Sequence, residues 1–92
     1  MVQVVIANQL LRFFPKLKDR SISVEGTTAA EVIHAVDALA PGFAGYVVDE
    51  RGALRRHVSV FIGDELIIDR QRLSDPIEPG GTLSVFQALS GG

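Results

Sequence analysis

Only residues 28–40 carry apolar side chains at clear helical spacing, and the runs on either side of them alternate with period two. Val32, Ile33, Val36, Leu39 and Ala40 fall on one stripe. Thr28 and Glu31 stand at the S/T-x-x-E spacing in which hydroxyl and carboxylate each satisfy an orphan backbone N–H at a helix start. Pro41-Gly42 stops the helix. A lone helix with one apolar stripe has to bury that stripe against another layer, and the alternating runs supply a sheet.

Val2-Gln3-Val4-Val5-Ile6-Ala7 is β-branched and short, a strand with Val2, Val4 and Ile6 on one face. Residues 8–19 mix Leu10, Leu11, Phe13 and Phe14 with Pro15 and charges, and read as a connection whose apolar side chains cap the core. Arg20–Glu25 alternates, with Ile22 and Val24 inward. Phe43–Val48 reads as a short second helix or an irregular connector. Asp49-Glu50-Arg51-Gly52 has turn composition. His57–Ile62 and Glu65–Ile68 flank Gly63-Asp64, a Gly-first pair suited to a type II′ hairpin turn. After turns at Asp75-Pro76 and Pro79-Gly80-Gly81, Thr82–Leu89 forms the last strand. The order β-β-α-β-β-β predicts an α+β fold, a mixed sheet of four to five strands with one main helix packed on one face.

Length limits this to one domain over residues 1–92, against about 100–200 residues for a typical domain. Apolar residues at 47% and charged residues at 22% argue for a folded core rather than disorder. Net charge is −2, which argues against nucleic acid or an anionic membrane as partner, since both are bound mainly through Lys and Arg. No apolar run approaches the roughly 20 residues of a spanning helix, and the start lacks a signal-peptide pattern. The expectation is a soluble, cytoplasmic chain. With no cysteine, there is no disulfide, thiolate metal site or Cys nucleophile.

Enzyme signatures are missing too. His34 and His57 have no Asp, Glu or Cys at metal-ligand spacing, and Gly80-Gly81 lacks the Lys-Ser/Thr of a phosphate loop. Asp49-Glu50 and Asp64-Glu65 read as solvated turn carboxylates, not general acids or bases, which need burial to raise their pKa. No bound cofactor or metal is expected, and the chain is not itself a catalyst. What stands out is Ser90-Gly91-Gly92 directly after a strand. Two glycines make a thin, pliant tip that can thread a narrow channel and present its α-carboxylate to a second protein. A carboxylate is a poor electrophile, so it needs activation, for instance as an acyl-adenylate made from ATP. A sulfur or amine nucleophile can then attack the unhindered glycyl carbonyl.

The whole chain resembles the ubiquitin-like sulfur-carrier proteins of the MoaD/ThiS-like family. The resemblance rests on Val2–Ile6, the Thr27/Thr28-capped helix, Leu54–Ile62, the Pro79-Gly80-Gly81 turn, and Leu83–Leu89 running into Gly91-Gly92. The stretch from Pro41-Gly42 through Asp49–Arg56 looks like the longer branch, which includes the carrier of a cysteine-forming pathway. Gln87 departs from the proline that relatives often place there or next to it. The resemblance implies a β-grasp with its last strand central and parallel to the first. It implies that Gly92 is adenylated by an ATP-dependent, ubiquitin-activating-type enzyme and becomes a thiocarboxylate. A sulfur-acceptor synthase, for cysteine, molybdopterin or a related product, would then take the sulfur. Gly91 and Ser90 would be the flexible spacer, and ATP would be used by the partner, not bound by this chain.

Alternation also suggests a docking face. With Val58, Val60, Ile62, Leu83 and Val85 inward, Phe61, Phe86 and Ala88 point outward near the tail, with Leu89 following and Arg55 and Arg56 available to an acidic partner rim. Alternatively, segment 8–19 or 43–48 folds over those phenylalanines and buries them. Two other functions stay open: a protein modifier joined through Gly92 to lysine, and an inert β-grasp interaction module. Insertion into a molybdopterin synthase as its small subunit is a variant of the carrier reading.

Overall fold

A computed structural model describes residues 1–87; residues 88–92 lie outside the described set. Strand β1 (Val2–Ile6) is followed by a short helix α1 (Asn8–Leu11), a 3-10 turn (Pro15–Leu17) and strand β2 (Ile22–Val24). Helices α2 (Ala29–Leu39) and α3 (Phe43–Val47) precede strands β3 (Val58–Ile62), β4 (Glu65–Leu66) and β5 (Thr82–Gln87). The sheet order is β2-β1-β5-β3-β4, with β1 and β5 parallel and the other pairs antiparallel. This is the mixed sheet expected from the sequence, with the last strand in the centre.

The Pro79-Gly80-Gly81 turn sets that central pairing. Gly80 N–H donates to the Met1 carbonyl, and Gln3 N–H donates to the Gly81 carbonyl, both at 2.9 Å. Gly80 has φ +83°, a region glycine enters without steric cost, and a Cβ on Gly81 would sit 2.9 Å from the Glu78 carbonyl oxygen. The start of β5 is thereby pinned beside the start of β1, and the parallel register Gln3↔Thr82 through Ile6↔Val85 follows.

One face of this sheet is the core. Val2, Val4, Ile6, Val58, Val60, Leu83 and Val85 are buried, as alternation requires. Val32, Ile33 and Val36 of α2 lie over them. Thr28 caps α2 by accepting the Glu31 N–H, but the Glu31 carboxylate reaches back to the N–H and hydroxyl of Thr27, not of Thr28. Leu39 departs from the expected stripe and is 40% exposed. At 3.6 residues per turn it falls on the stripe's edge, whereas Ala29 and Ala40, nearer its centre, are buried.

Three segments differ from, or resolve, the sequence reading. Residues 8–19 hold α1 and the 3-10 turn, which bury Leu10, Phe14 and Leu17. Residues 43–47 take the helical alternative, burying Phe43 and Val47, with the Asp37 carboxylate accepting the Gly42 and Ala44 N–H groups. Strand β4 stops at Leu66, short of Ile68, because the Asp75 carboxylate takes the N–H groups of Ile68 and Asp69 and draws the chain off the sheet. The β3–β4 turn does follow the Gly-first pattern, with φ +60° at Gly63 and no positive φ at Asp64.

Candidate functional site

Strand β5 carries the chain toward Gly91-Gly92. Because it is central, both of its edges are hydrogen-bonded: Ile6 faces Val85 on one side and Val58 faces Gln87 on the other. Ala7 N–H donates to the Val85 carbonyl at 3.0 Å, so pairing persists to the end of β1. The backbone is thus held in the sheet up to Gln87. The expected last strand over 82–89 is observed as Thr82–Gln87, and Ala88, Leu89, Ser90, Gly91 and Gly92 lie outside the described residues.

The outer sheet face brings Phe61 and Phe86 together. They are diagonal neighbours across β3 and β5, since Phe61 pairs with Ser84 and Phe86 with Ser59. Their rings meet edge to face with centroids 5.8 Å apart. Phe86 is 40% exposed, so segments 8–19 and 43–48 do not bury it. Phe61 is half-buried, and two further exposed apolar side chains share the face: Val5, which alternates against Val4, and Leu66, which pairs with Phe61. The first was legible as the odd position of a β-branched run; the second depends on the hairpin register.

The two arginines ahead of β3 have separate roles. Arg55 donates its Nε–H to the Gly45 carbonyl at 3.0 Å, tying the lead-in of β3 to α3. Arg56 is exposed. Arg70, not singled out by sequence, donates to the carbonyls of Arg55 and Val58 and braces the same corner. Asp49 closes the preceding turn by accepting the Arg51 and Ala53 N–H groups. Those bonds hold its carboxyl below the usual range, with smaller help from the charges of Arg55 and Arg51, which is unsuited to a general acid.

His34 is exposed on α2, and His57 is exposed with its ring edge-on to Tyr46 at 5.6 Å. Among the described residues, no group of three or more His, Cys, Asp or Glu could hold a metal ion. No helix among them is long and apolar enough to cross a membrane.

Comparison with known proteins agrees with this architecture. The chain matches the ThiS family over residues 5–92. The crystal structure of the BexX/CysO complex of Amycolatopsis orientalis contains a chain that superposes with TM-score 0.83 at 27% identity, each chain covered completely. Mycobacterium tuberculosis CysO superposes with TM-score 0.83 at 26% identity, over 97% of this chain and all of the other. SAMP1 from Haloferax volcanii shares the fold, with TM-score 0.74 at 21% identity over 99% and 98% of the two chains. No curated protein sequence matches. With its match to the family extending through Gly92 and its central β5, the chain belongs to the ThiS family of ubiquitin-like, β-grasp sulfur-carrier proteins.

Proposed function

We propose that residues 1–92 act as one carrier unit, a protein co-substrate whose Gly92 carboxylate is the reacting group. The observation that carries this reading is that the family match runs through Gly92, while β5 is paired with β1 up to Val85 and with β3 up to Gln87. A body held that firmly, with a sequence that closes on Ser90-Gly91-Gly92, suits delivery of a carboxylate into another protein's site. The carboxylate oxygen attacks the α-phosphorus of ATP in an activating enzyme, and pyrophosphate leaves. A sulfur nucleophile then attacks the acyl carbon and AMP leaves, so that the tail ends as a thiocarboxylate once sulfur is delivered as sulfide. An acceptor attacked by the thiocarboxylate sulfur takes that sulfur in a synthase, and water hydrolyses the acyl carbon–sulfur or acyl carbon–nitrogen bond that results, supplying the oxygen that restores the carboxylate.

Phe61, Phe86 and Arg56 are proposed to seat these partners, with Ala88 and Leu89 proposed as further contact residues. Ser90 and Gly91 act as the spacer between that surface and the reacting carbon. The chain works in the cytoplasm, where ATP and reduced sulfur are available. The A. orientalis CysO, solved in complex with BexX, supports the idea that a carrier of this shape is docked by a partner protein.

The test is incubation with the adenylating enzyme encoded in the same genome, ATP and sulfide, followed by intact-mass measurement. A gain equal to one oxygen-to-sulfur exchange is expected, and a chain extended beyond Gly92 should show none. Conjugates bearing a Gly-Gly remnant on lysine, without any thiocarboxylate, would move the assignment to a protein modifier.

A further inference from the structure

The strand directions sort the charges to opposite ends of the sheet. β1 and β5 run toward the end at which Ile6 and Gln87 lie, and β2 and β3 begin there. The β1–β2 connection at this end contributes Arg12, Lys16, Lys18 and Arg20, and the lead-in to β3 contributes Arg55 and Arg56. That is six of the chain's nine Lys and Arg, although its net charge is −2. Asp19 is the acid of the same connection, and the turn before the β3 lead-in adds Asp49, which lies close enough to Arg55 to feel its charge, with Glu50 and Arg51. Asp37, near the end of α2, directs its carboxylate at the Gly42 and Ala44 N–H groups.

The far end has the opposite character. Its turns hold Glu25 after β2, Asp64 and Glu65 at the β3–β4 hairpin, and Glu78 before β5. The Met1 amino group is a positive charge there; no Lys or Arg stands in these turns, and Arg72 is next to Leu73, whose carbonyl accepts the Ala30 N–H at the start of α2. The domain is therefore bipolar along its strands, and its cationic pole surrounds the point at which β5 gives way to residues 88–92.

We propose that this pole is a docking collar for an acidic protein surface, namely the rim around the channel that receives the tail. Complementary charge raises the rate of encounter and selects orientation more than it raises final affinity. With the acidic pole repelled by the same rim, the carrier approaches tail first. A nucleic acid fits less well, because the acidic pole and negative net charge oppose the long contact that phosphate backbones require. Arg20 and Arg55 also donate to the carbonyls of Lys16 and Gly45, so they hold the collar's own backbone. Arg12, Lys18 and Arg56 are exposed and are the residues to test.

The identity of the rim rests on the carrier reading, so two experiments separate the inferences. The first needs no enzyme: the full chain is titrated with a poly-glutamate peptide and followed by amide chemical shifts. Salt-sensitive changes confined to residues 12–20 and 55–58 are expected. Changes spread equally over both poles, or stronger ones with a DNA duplex, would overturn the collar. The second compares charging of the wild type and the R12E/K18E/R56E variant by the activating enzyme at limiting carrier. At low ionic strength the variant should be about tenfold slower or more, with the deficit fading as salt is added and kcat unchanged. The far-pole variant E25K/E65K/E78K should show no such loss. Equal rates for wild type and R12E/K18E/R56E at low salt would refute the collar while leaving the carrier reading intact. A wild type that is never charged, with the peptide still bound at residues 12–20 and 55–58, would refute the carrier reading alone.

Discussion

Both faces of the sheet carry apolar side chains but have different duties: the inner one is wholly aliphatic, while the outer one mixes Val5, Phe61 and Phe86 with Gln3, Ser59 and Ser84. Beneath α2, Val58, Val60, Leu83 and Val85 have no exposure at all. On the other face, Phe86 and Val5 remain 40% and 47% exposed, although larger or equally apolar side chains would gain as much from burial. The inner face supplies the stability that a chain of this size must draw from one core. The outer face retains apolar area that folding alone leaves unexplained, next to the strand that leads to the tail.

The strongest way to break this contrast is to truncate one residue on each side. Leu83→Ala, on the inner face, should lower unfolding free energy in urea by about 2–5 kcal/mol. Gly81→Ala should follow, at about 1–3 kcal/mol, because its Cβ would press on the Glu78 carbonyl oxygen at 2.9 Å and on Ile77 at 3.2 Å. Phe86→Ala should cost about 1 kcal/mol, chiefly the edge-to-face contact with Phe61, while reducing the rate of charging by the activating enzyme more than Leu83→Ala does under folded conditions. If Phe86→Ala proves as destabilising as Leu83→Ala, or leaves charging unchanged, the two faces do not differ as described. Thr28→Ala, remote from both, should also cost about 1 kcal/mol through the lost cap, with charging intact.

The smallest effect per group is a dependence on pH. Glu31, held by Thr27, and Asp69, held by Ser74 and the Arg72 N–H, have carboxyl groups below their usual range, as Asp49 does. A carboxyl depressed in the folded state stabilises it fully above the unfolded value, near ~4, and that contribution disappears as pH falls through the lower folded value. The melting temperature should therefore fall on acidification through this window, and less so in Asp69→Asn, measured by circular dichroism. Charging at neutral pH should not respond, since none of these carboxylates lies on the outer face.

What could be read in advance tracks the range of the interactions. The α2 cap, its stop at Pro41-Gly42 and the alternation of β1, β3 and β5 depend on residues within a few positions of each other, and they were legible. The end of β4 depends on Asp75 reaching back to Ile68 and Asp69, and the brace by Arg70 depends on carbonyls 12 and 15 positions away. Periodicity contains neither. Alternation alone places Phe61 and Phe86 on one face, but their contact requires the register Ser59↔Phe86, which only the folded sheet supplies. Val5 carries the same local signal, since placing Val2, Val4 and Ile6 on the inner face puts Val5 on the outer one.

The central claim concerns a single carbon, and top-down fragmentation of the charged chain addresses it directly. After reaction with activating enzyme, ATP and sulfide, the fragment containing Gly92 should carry the sulfur-for-oxygen mass increase, and fragments ending before it should be unaltered. Sulfur located on any other residue, or a terminal fragment that stays unmodified while the enzyme consumes ATP on this chain, would contradict the account.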